Sequence, residues 1–184
     1  MTQAASDDTR LKSALAMALV RQPRATLVEL AKDVGISKTT LYRFCRTREE
    51  LISSLIDHGA ALLHNAIDAA DLTSGPPREA LRRFISELLK QRAFVAFVNA
   101  YWVPTEEPSV EMAGWSEFLV KSDAFFLRGQ REGVFRVDIS AAALSEAMSG
   151  LLRAFVDAEV YGRVAPASTA FVLESLFLDG ASSR

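Results

Sequence analysis

The stretch from Thr26 to Leu51 decides the fold, and it reads T-L-V-E-L-A-K-D-V-G-I-S-K-T-T-L-Y-R-F-C-R-T-R-E-E-L. Thr26, with Glu29 three residues later, matches the capping box that begins many helices. Gly35 supplies the left-handed residue that ends this helix, and Ser37 caps a second helix almost at once. Two short helices joined by a tight turn that contains glycine predict a helix-turn-helix.

The second helix of this stretch has two different faces. Leu41, Phe44 and Cys45 stand three and four residues apart, and this spacing predicts that they point into the core. The opposite face carries cations, hydroxyl groups and a phenol but no acid, in Lys38, Thr39, Tyr42, Arg43 and Arg46. Such a face suits the major groove of DNA, where phosphates line the walls and base edges offer acceptors.

A third helix follows directly. Thr47 is a good N-cap, and Glu50 at the third helical position predicts a second capping box. Arg48 stands at the start of this helix, where the helix dipole disfavours a cation. A cation in that place indicates an anion outside the chain, such as a DNA phosphate.

The same stretch resembles the DNA-binding region of the TetR family of bacterial transcriptional repressors, whose pattern runs roughly T-V-x-x-I-A-x-x-A-G-V-S-x-G-T-L-Y-x-H-F-x-S-K-E-E-L. The spacing matches without a gap, and the L-Y pair followed by R-E-E-L is its distinctive part. Thr39 departs from the pattern where glycine is common, and Phe44–Cys45 stands where His-Phe or Tyr-Phe is usual. Arg21 stands about where a glycine usually ends the first helix. None of these departures breaks the helical pattern.

Composition and charge bound the class of protein. The chain has 184 residues, one cysteine and a net charge of −2, with no run of 18 apolar residues. We therefore expect a cytoplasmic protein with no membrane partner, no cofactor and no metal site. His64 and Asp68 could share a helix face, but a solvated polar pair is the favoured interpretation. Residues 1–52 carry a net charge of +3 and the remainder −5, which fits a basic DNA-binding module on an acidic body.

The remaining pattern predicts an all-α fold of about nine helices. We expect residues 1–8 to be disordered, and we expect a first helix from Thr9 to about Arg21 and a long helix from Glu49 to about Asp71. Further helices are predicted from Arg78, over about 110–132, from Ser140 or Asp138 to Gly162, and from Pro166. The resemblance implies an N-terminal three-helix DNA-binding domain over residues 1–48, and a C-terminal ligand-binding and dimerisation domain over residues 49–184.

The central helices are rich in aromatic residues, and two interpretations stay open. The rings could form a plain core, or they could line a cavity for a small apolar effector, which the resemblance favours. The candidate lining residues are Phe84, Leu88, Phe97, Asn99, Tyr101, Trp102, Trp115 and Phe118.

The last two helices are apolar over much of their circumference. Either they pack against their own body or, as the resemblance implies, they form a four-helix bundle with a second copy of the chain. The candidate residues of this homodimer interface are Leu144, Met148, Leu151, Phe155, Phe171, Leu176 and Phe177.

The leading hypothesis is therefore a ligand-responsive transcriptional repressor that binds palindromic double-stranded operator DNA as a homodimer. Thr26, Tyr42 and Arg48 are the candidate phosphate contacts. The candidate contacts near base edges are Lys38, Thr39, Thr40 and Arg43, and Ser37 completes the set of candidate DNA-binding residues. The alternative is a ligand-independent regulator or a protein-binding adaptor on the same fold. An enzyme is disfavoured, because no Ser-His-Asp order, Gly-rich phosphate loop or metal motif is present.

Overall fold

The computed structural model describes residues 2–101 and 110–182, with side chains from residues 8–101 and 116–182. This part of the chain contains nine α-helices: α1 (Thr2–Arg21), α2 (Leu27–Asp33), α3 (Lys38–Phe44), α4 (Arg48–Ala69), α5 (Pro77–Lys90), α6 (Arg92–Tyr101), α7 (Val110–Arg131), α8 (Ala141–Val160) and α9 (Pro166–Ala181). None of these helices is both long enough and apolar enough to span a bilayer.

The first helix differs from the prediction at its start, since α1 begins at Thr2 and not at Thr9. Its second half forms the back of the N-terminal unit, which we call the head and which comprises α1 to α3. Ala16, Ala18 and Leu19 of α1 are fully buried there. The two alanines have short side chains, which let neighbouring helices approach α1 closely. We call the hydrophobic residues around them the head cluster; its buried members are Leu15, Ala16, Ala18, Leu19, Ala25, Leu27, Leu30, Ala31, Leu41, Cys45, Leu51, Leu55, Phe94 and Phe97.

Helix α4 connects the head to the remaining helices, which we call the body. Its first turns contribute Leu51 and Leu55 to the head cluster, and its later turns contribute Leu63 to the core of the body. Between them lies Gly59, where an added Cβ would lie 3.0 Å from Cδ1 of Phe94 in α6. The absence of a side chain therefore allows α4 and α6 to cross at close range.

The core of the body, which we call the body cluster, is dominated by phenylalanine rings from four separate parts of the chain. Phe125 and Phe126 of α7 pack on Phe135, which follows α7, with ring centroids 5.7 and 5.3 Å apart. Phe84 of α5 contacts Phe125, and Phe177 of α9 contacts Phe126. This packing fixes α5, α7 and α9 relative to one another.

The connection between α7 and α8 folds back onto the end of α9. The backbone N–H of Arg136 donates to the carbonyl of Ala181 at 2.8 Å. Ser140, not Asp138, is the N-cap of α8, because its hydroxyl accepts from the N–H of Ala143. Pro166 begins α9 as predicted.

Candidate nucleic-acid interface and body cavity

Helices α2 and α3 each begin at a side-chain cap, and a glycine turn joins them. The predicted capping box is present on α2, since Thr26 donates its N–H to Glu29 at 2.7 Å and its hydroxyl accepts from the N–H of Glu29. Gly35 has a φ of +76°, as the turn into α3 requires. Ser37 then caps α3 by accepting from the N–H of Thr40 at 3.0 Å.

The cap that follows α3 differs from the prediction in one contact. Thr47 accepts from the N–H of Glu50 at 3.1 Å, which is the first half of a capping box. The carboxylate of Glu50 instead accepts from the N–H of Arg46 at 2.7 Å, one residue before the cap. Glu50 therefore bonds to the loop between α3 and α4. Hydrogen bonds between side chains and backbone N–H groups thus hold the chain at the start of α3, through Ser37, and just after its end, through Glu50.

The outer face of α3 is exposed, and its side chains have few internal partners. Lys38, Thr39, Tyr42 and Arg43 are all exposed, with Tyr42 at 41%. The ammonium of Lys38 lies 5.3 Å from the centre of the Tyr42 ring, a cation–π contact that holds both side chains on this face. Within the described residues, Arg43 forms no hydrogen bond or ion pair, so its five N–H donors are available to an external acceptor.

Three of the other candidate hydroxyl groups already have partners inside the head. Ser37 and Thr40 share a hydrogen bond between their hydroxyl groups at 2.8 Å. The hydroxyl of Thr26 donates to Glu29 at 2.8 Å. Because the N–H and hydroxyl of Thr26 both donate to this carboxylate, the pKa of Glu29 is lowered from its ordinary value. These threonine and serine side chains therefore build the interface as caps.

Arg48, a candidate phosphate contact, has two hydrogen-bond acceptors inside the chain. Its Nη2 donates to the carbonyl of Pro23 at 2.7 Å and to the hydroxyl of Tyr101 at 3.3 Å. The Tyr101 hydroxyl in turn donates to the carbonyl of Leu19 at 2.9 Å, and its ring stacks on Phe97 at 4.9 Å. The cation at the start of α4 thus has internal acceptors, and it ties α1, α4 and the last turn of α6 together.

Phe44 and Cys45 do not share the inner face of α3 as predicted. Cys45 is buried, whereas Phe44 is 49% exposed. The reason is that the helix ends at Phe44, and the extended backbone of Cys45 turns its thiol inward, into the core position next to Leu41. Burial, and next the charge of Glu50, raise the pKa of this thiol.

A cavity of about 420 Å³ lies in the body between α4, α5, α6, α7 and α8. Its lining contains apolar residues from all five helices and a group of polar residues on α8, in full Leu63, Leu88, Val95, Val98, Asn99, Phe118, Glu146, Ser149, Leu152 and Arg153. Its volume is in the range of pockets that take small molecules.

Only part of the predicted lining is found around this cavity. Leu88, Asn99 and Phe118 line it. Phe84 does not, because its ring packs against Phe118 and Phe125 in the body cluster.

Phe97 and Tyr101 do not line the cavity either, because they face the head cluster. Trp102 lies outside the described residues, and the side chain of Trp115 does so as well.

The contribution of α8 to the cavity was not predicted from the sequence. The sequence signal for it is three polar residues, Glu146, Ser149 and Arg153, spaced three and four apart on a largely apolar helix.

The candidate interface residues on α8 and α9 fall into two groups. Leu144, Met148 and Phe177 are buried inside their own chain, so they offer no surface to a second copy. Leu151 and Phe155 are half-buried. Two residues of α9 have large exposed apolar side chains, with Phe171 at 73% and Leu176 at 53%.

His64 and Asp68 share a face of α4, as their spacing suggests, with Nε2 of His64 3.5 Å from Oδ2 of Asp68. The ammonium of Lys121 lies 2.5 Å from Asp68 and 2.9 Å from Glu117, and so forms an ion pair with each of these acids. Across the described ranges, no group of three or more His, Cys, Asp or Glu residues is arranged to hold a metal ion.

Comparison with known proteins places this arrangement in a family, although no protein-family model matches the chain. The chain is 48% identical to the HTH-type transcriptional regulator NfxB of Pseudomonas aeruginosa over 179 residues, which cover 97% of this chain and 96% of NfxB. It is 33% identical to the HTH-type transcriptional repressor LfrR of Mycolicibacterium smegmatis over 99 residues, covering 54% and 51% of the two chains.

The crystal structure of LfrR, a TetR-like regulator solved in complex with proflavine, superposes with a TM-score of 0.67, at 25% identity, over 96% of this chain and 97% of that one. The expectation that the chain is not an enzyme agrees with these relatives, which are regulators of transcription. The uninterrupted helix-turn-helix, the all-helical body and these relatives lead to one conclusion: the chain belongs to the TetR family of DNA-binding transcriptional regulators.

Proposed function

We propose that the protein is a ligand-responsive repressor, which binds a palindromic operator as a homodimer and is released by a small molecule bound in the body cavity. The observation that carries this proposal is the outer face of α3. Its cationic and hydroxyl-bearing side chains are exposed, while the helix itself is capped by Ser37 and is followed at once by α4, which Thr47 caps. A rigid helix with uncommitted donors is what base recognition requires.

The candidate DNA-binding residues fall into two groups, according to whether their side chains are free to contact DNA. Lys38, Thr39 and Arg43 are assigned to base edges, and Tyr42 to a phosphate. Thr40 and Ser37 act by holding the helix, because their hydroxyl groups are paired with each other. In this conformation Arg48 contributes through Tyr101 and Pro23 rather than through a phosphate.

The homodimer is assigned to the exposed sides of α8 and α9. Phe171 and Leu176 are large apolar side chains left in contact with solvent, which a second copy would cover. On α8, Gly150 has nothing within 4 Å of the place where a Cβ would be, so a partner helix could approach there. Two heads held at a fixed spacing would then enter successive major grooves.

Release by a ligand is supported by the position of α6. Val95, Val98 and Asn99 of this helix line the cavity, and Tyr101 at its end contacts the head. A ligand that binds one position of α6 better than another shifts the population of head arrangements. The relative LfrR is named a repressor and has been solved with proflavine, which supports the same assignment for this chain.

The experiment selects genomic fragments with the purified protein and then measures operator binding by fluorescence anisotropy. Arg43→Ala is expected to weaken binding by about 1–3 kcal/mol, because a bidentate contact to a guanine is lost. Arg131→Ala, an exposed arginine at the end of α7, is the matched control and should leave the affinity unchanged. Equal operator affinity in Arg43→Ala and the native protein would remove Arg43 from base recognition.

A further inference from the structure

One edge of the body cavity is polar and carries charges of both signs. Glu146, Ser149 and Arg153 follow each other at intervals of three and four residues along α8, and all three line the cavity. In the described part of the chain, none of these side chains forms a hydrogen bond or an ion pair. Glu146 is exposed, and Arg153 is partly buried beside the carboxylate of Asp157, so a negative and a positive side chain both meet the cavity and can pair with a ligand of matching charges.

The opposite wall has a different chemistry. It is formed by Leu63 of α4, Leu88 of α5, Val95 of α6 and Phe118 of α7, all of them buried. A purely apolar effector would suit this wall, but on the α8 side it would displace water from two charged side chains without replacing their hydrogen bonds.

We propose that the ligand of this cavity is an elongated amphipathic zwitterion, with an ammonium group at Glu146, a carboxylate at Arg153 and an apolar body against the opposite wall. Seven residues of helix separate the two charged side chains, so the two ends of the ligand lie about 10 Å apart. This inference rests on the proposed function for the existence of an effector, and it adds the chemical class of that effector.

The ammonium and carboxylate ends of the ligand contribute unequally to its binding affinity. Asp157 lies one turn beyond Arg153 and accepts a hydrogen bond from Asn99 at 3.1 Å. Burial raises the pKa of Asp157, and the positive charge of Arg153 acts against that rise, so the two side chains interact. Because Arg153 shares its charge with Asp157, the carboxylate end of the ligand is held less strongly than the ammonium end at Glu146.

The test uses three rigid biphenyl probes of nearly equal shape, titrated calorimetrically into the native protein. The first is 4′-(aminomethyl)biphenyl-4-carboxylate, whose charged groups have about the separation required by seven helical residues. The second replaces the carboxylate with a carboxamide, and the third replaces the aminomethyl group with methyl. We expect the zwitterion to bind most tightly, with about a tenfold loss or more without the ammonium group and a smaller loss without the carboxylate.

Two variants test whether Glu146 and Arg153 cause this difference in affinity between the probes. In Glu146→Gln, the zwitterion should no longer bind more tightly than the methyl probe. In Arg153→Gln, it should no longer bind more tightly than the carboxamide probe. Glu79→Gln, an exposed glutamate on α5 outside the cavity, is the matched control and should keep the full ranking. Unchanged thermal unfolding and operator affinity would show that each variant is folded.

The inference is overturned if the methyl probe binds as tightly as the zwitterion, if Glu146→Gln keeps the native ranking, or if none of the three probes binds. The proposed function is tested separately, by adding the saturating probe to the operator complex. Tight, Glu146-dependent binding without any change in operator affinity would leave the ligand class standing and refute release by that ligand.

Discussion

The head and the body of this protein are stabilised in different ways. In the head, α2 and α3 have seven residues each, which is too short for a helix to persist alone, and side-chain caps at Thr26 and Ser37 hold their N-terminal ends. Thr47 caps α4, which follows α3 directly. In the body, long helices are joined by phenylalanine rings that come from distant parts of the sequence, such as Phe84 and Phe177.

Because of this difference, we expect variants of the body to change mainly folding stability, and variants of the head to change mainly DNA recognition. A change in the aromatic core of the body should cost much folding free energy and leave the exposed side chains of α3 intact. A change in a cap of the head should cost little folding free energy but alter the helix that carries those side chains. The following variants test this division, from the largest expected effect to the smallest.

Gly129→Ala should have the largest effect, and it acts on the body. A Cβ at Gly129 would lie 2.2 Å from Cδ2 of Phe135, a fully buried ring that has no space to move into. We expect a loss of about 3 kcal/mol in the free energy of unfolding, measured by guanidinium denaturation. Gly180→Ala on α9, where nothing lies within 4 Å, is the control and should be neutral or stabilising. Equal stability of both variants would contradict the packing of α7 on Phe135.

Thr47→Ala acts on the head. It removes the hydroxyl that accepts from the N–H of Glu50, and loss of such an N-cap costs about 1 kcal/mol. We expect faster hydrogen exchange in the first turn of α4, together with weaker operator binding, because the loop after α3 loosens. Thr47→Ser keeps the hydroxyl and should behave like the native protein. If Thr47→Ser is as defective as Thr47→Ala, the cap is not the cause.

Tyr101→Phe acts on the junction between the two regions. The ring and its stacking on Phe97 remain, but the hydrogen bonds with Leu19 and Arg48 are lost. We expect a loss of about 1 kcal/mol in unfolding free energy, and less protection of α6 amides from hydrogen exchange when operator DNA binds. Tyr161→Phe, an exposed tyrosine after α8, is the matched control. Unchanged protection of α6 in Tyr101→Phe would show that the head and body communicate by another contact.

The smallest effect concerns Glu29 and acid pH. Its pKa is lowered in the folded state by the N–H of Thr26 first and by the Thr26 hydroxyl second. A carboxylate with a lowered folded pKa contributes stability that is present above its unfolded pKa and lost as the pH falls through the folded pKa. Glu29→Gln should therefore be slightly less stable than the native protein at neutral pH, and the difference should disappear under acid, as thermal unfolding would show. A difference that persists at low pH would contradict the ionic origin of the effect.

The features that the sequence predicted correctly are those controlled by neighbours in the chain. Thr26 with Glu29, Ser37, Gly35 and Pro166 each begin or end a helix through contacts within a few residues, and all are found where expected. Because these contacts lie within a short stretch of sequence, the family pattern over Thr26 to Leu51 could be recognised without a gap.

The features that the sequence did not predict depend on distant partners. The direction of Arg48 is decided by Tyr101, which lies 53 residues away. Cys45 is buried as predicted, but Phe44 is exposed, because α3 ends at Phe44 and the chain changes direction there. The polar edge of the cavity on α8 becomes visible only once α4 to α7 are packed opposite to it.

The internal bonds of Arg48 have a consequence for ionic strength. Its two acceptors are a carbonyl and a phenol, both neutral, so Arg48 keeps its positive charge and adds to the positive field of the head. In the proposed complex, a cation held in this way contributes less to the slope of log affinity against log salt than the value of about 0.9 for a cation that contacts a phosphate directly. Operator binding should thus depend on salt less steeply than the count of basic residues in the head suggests.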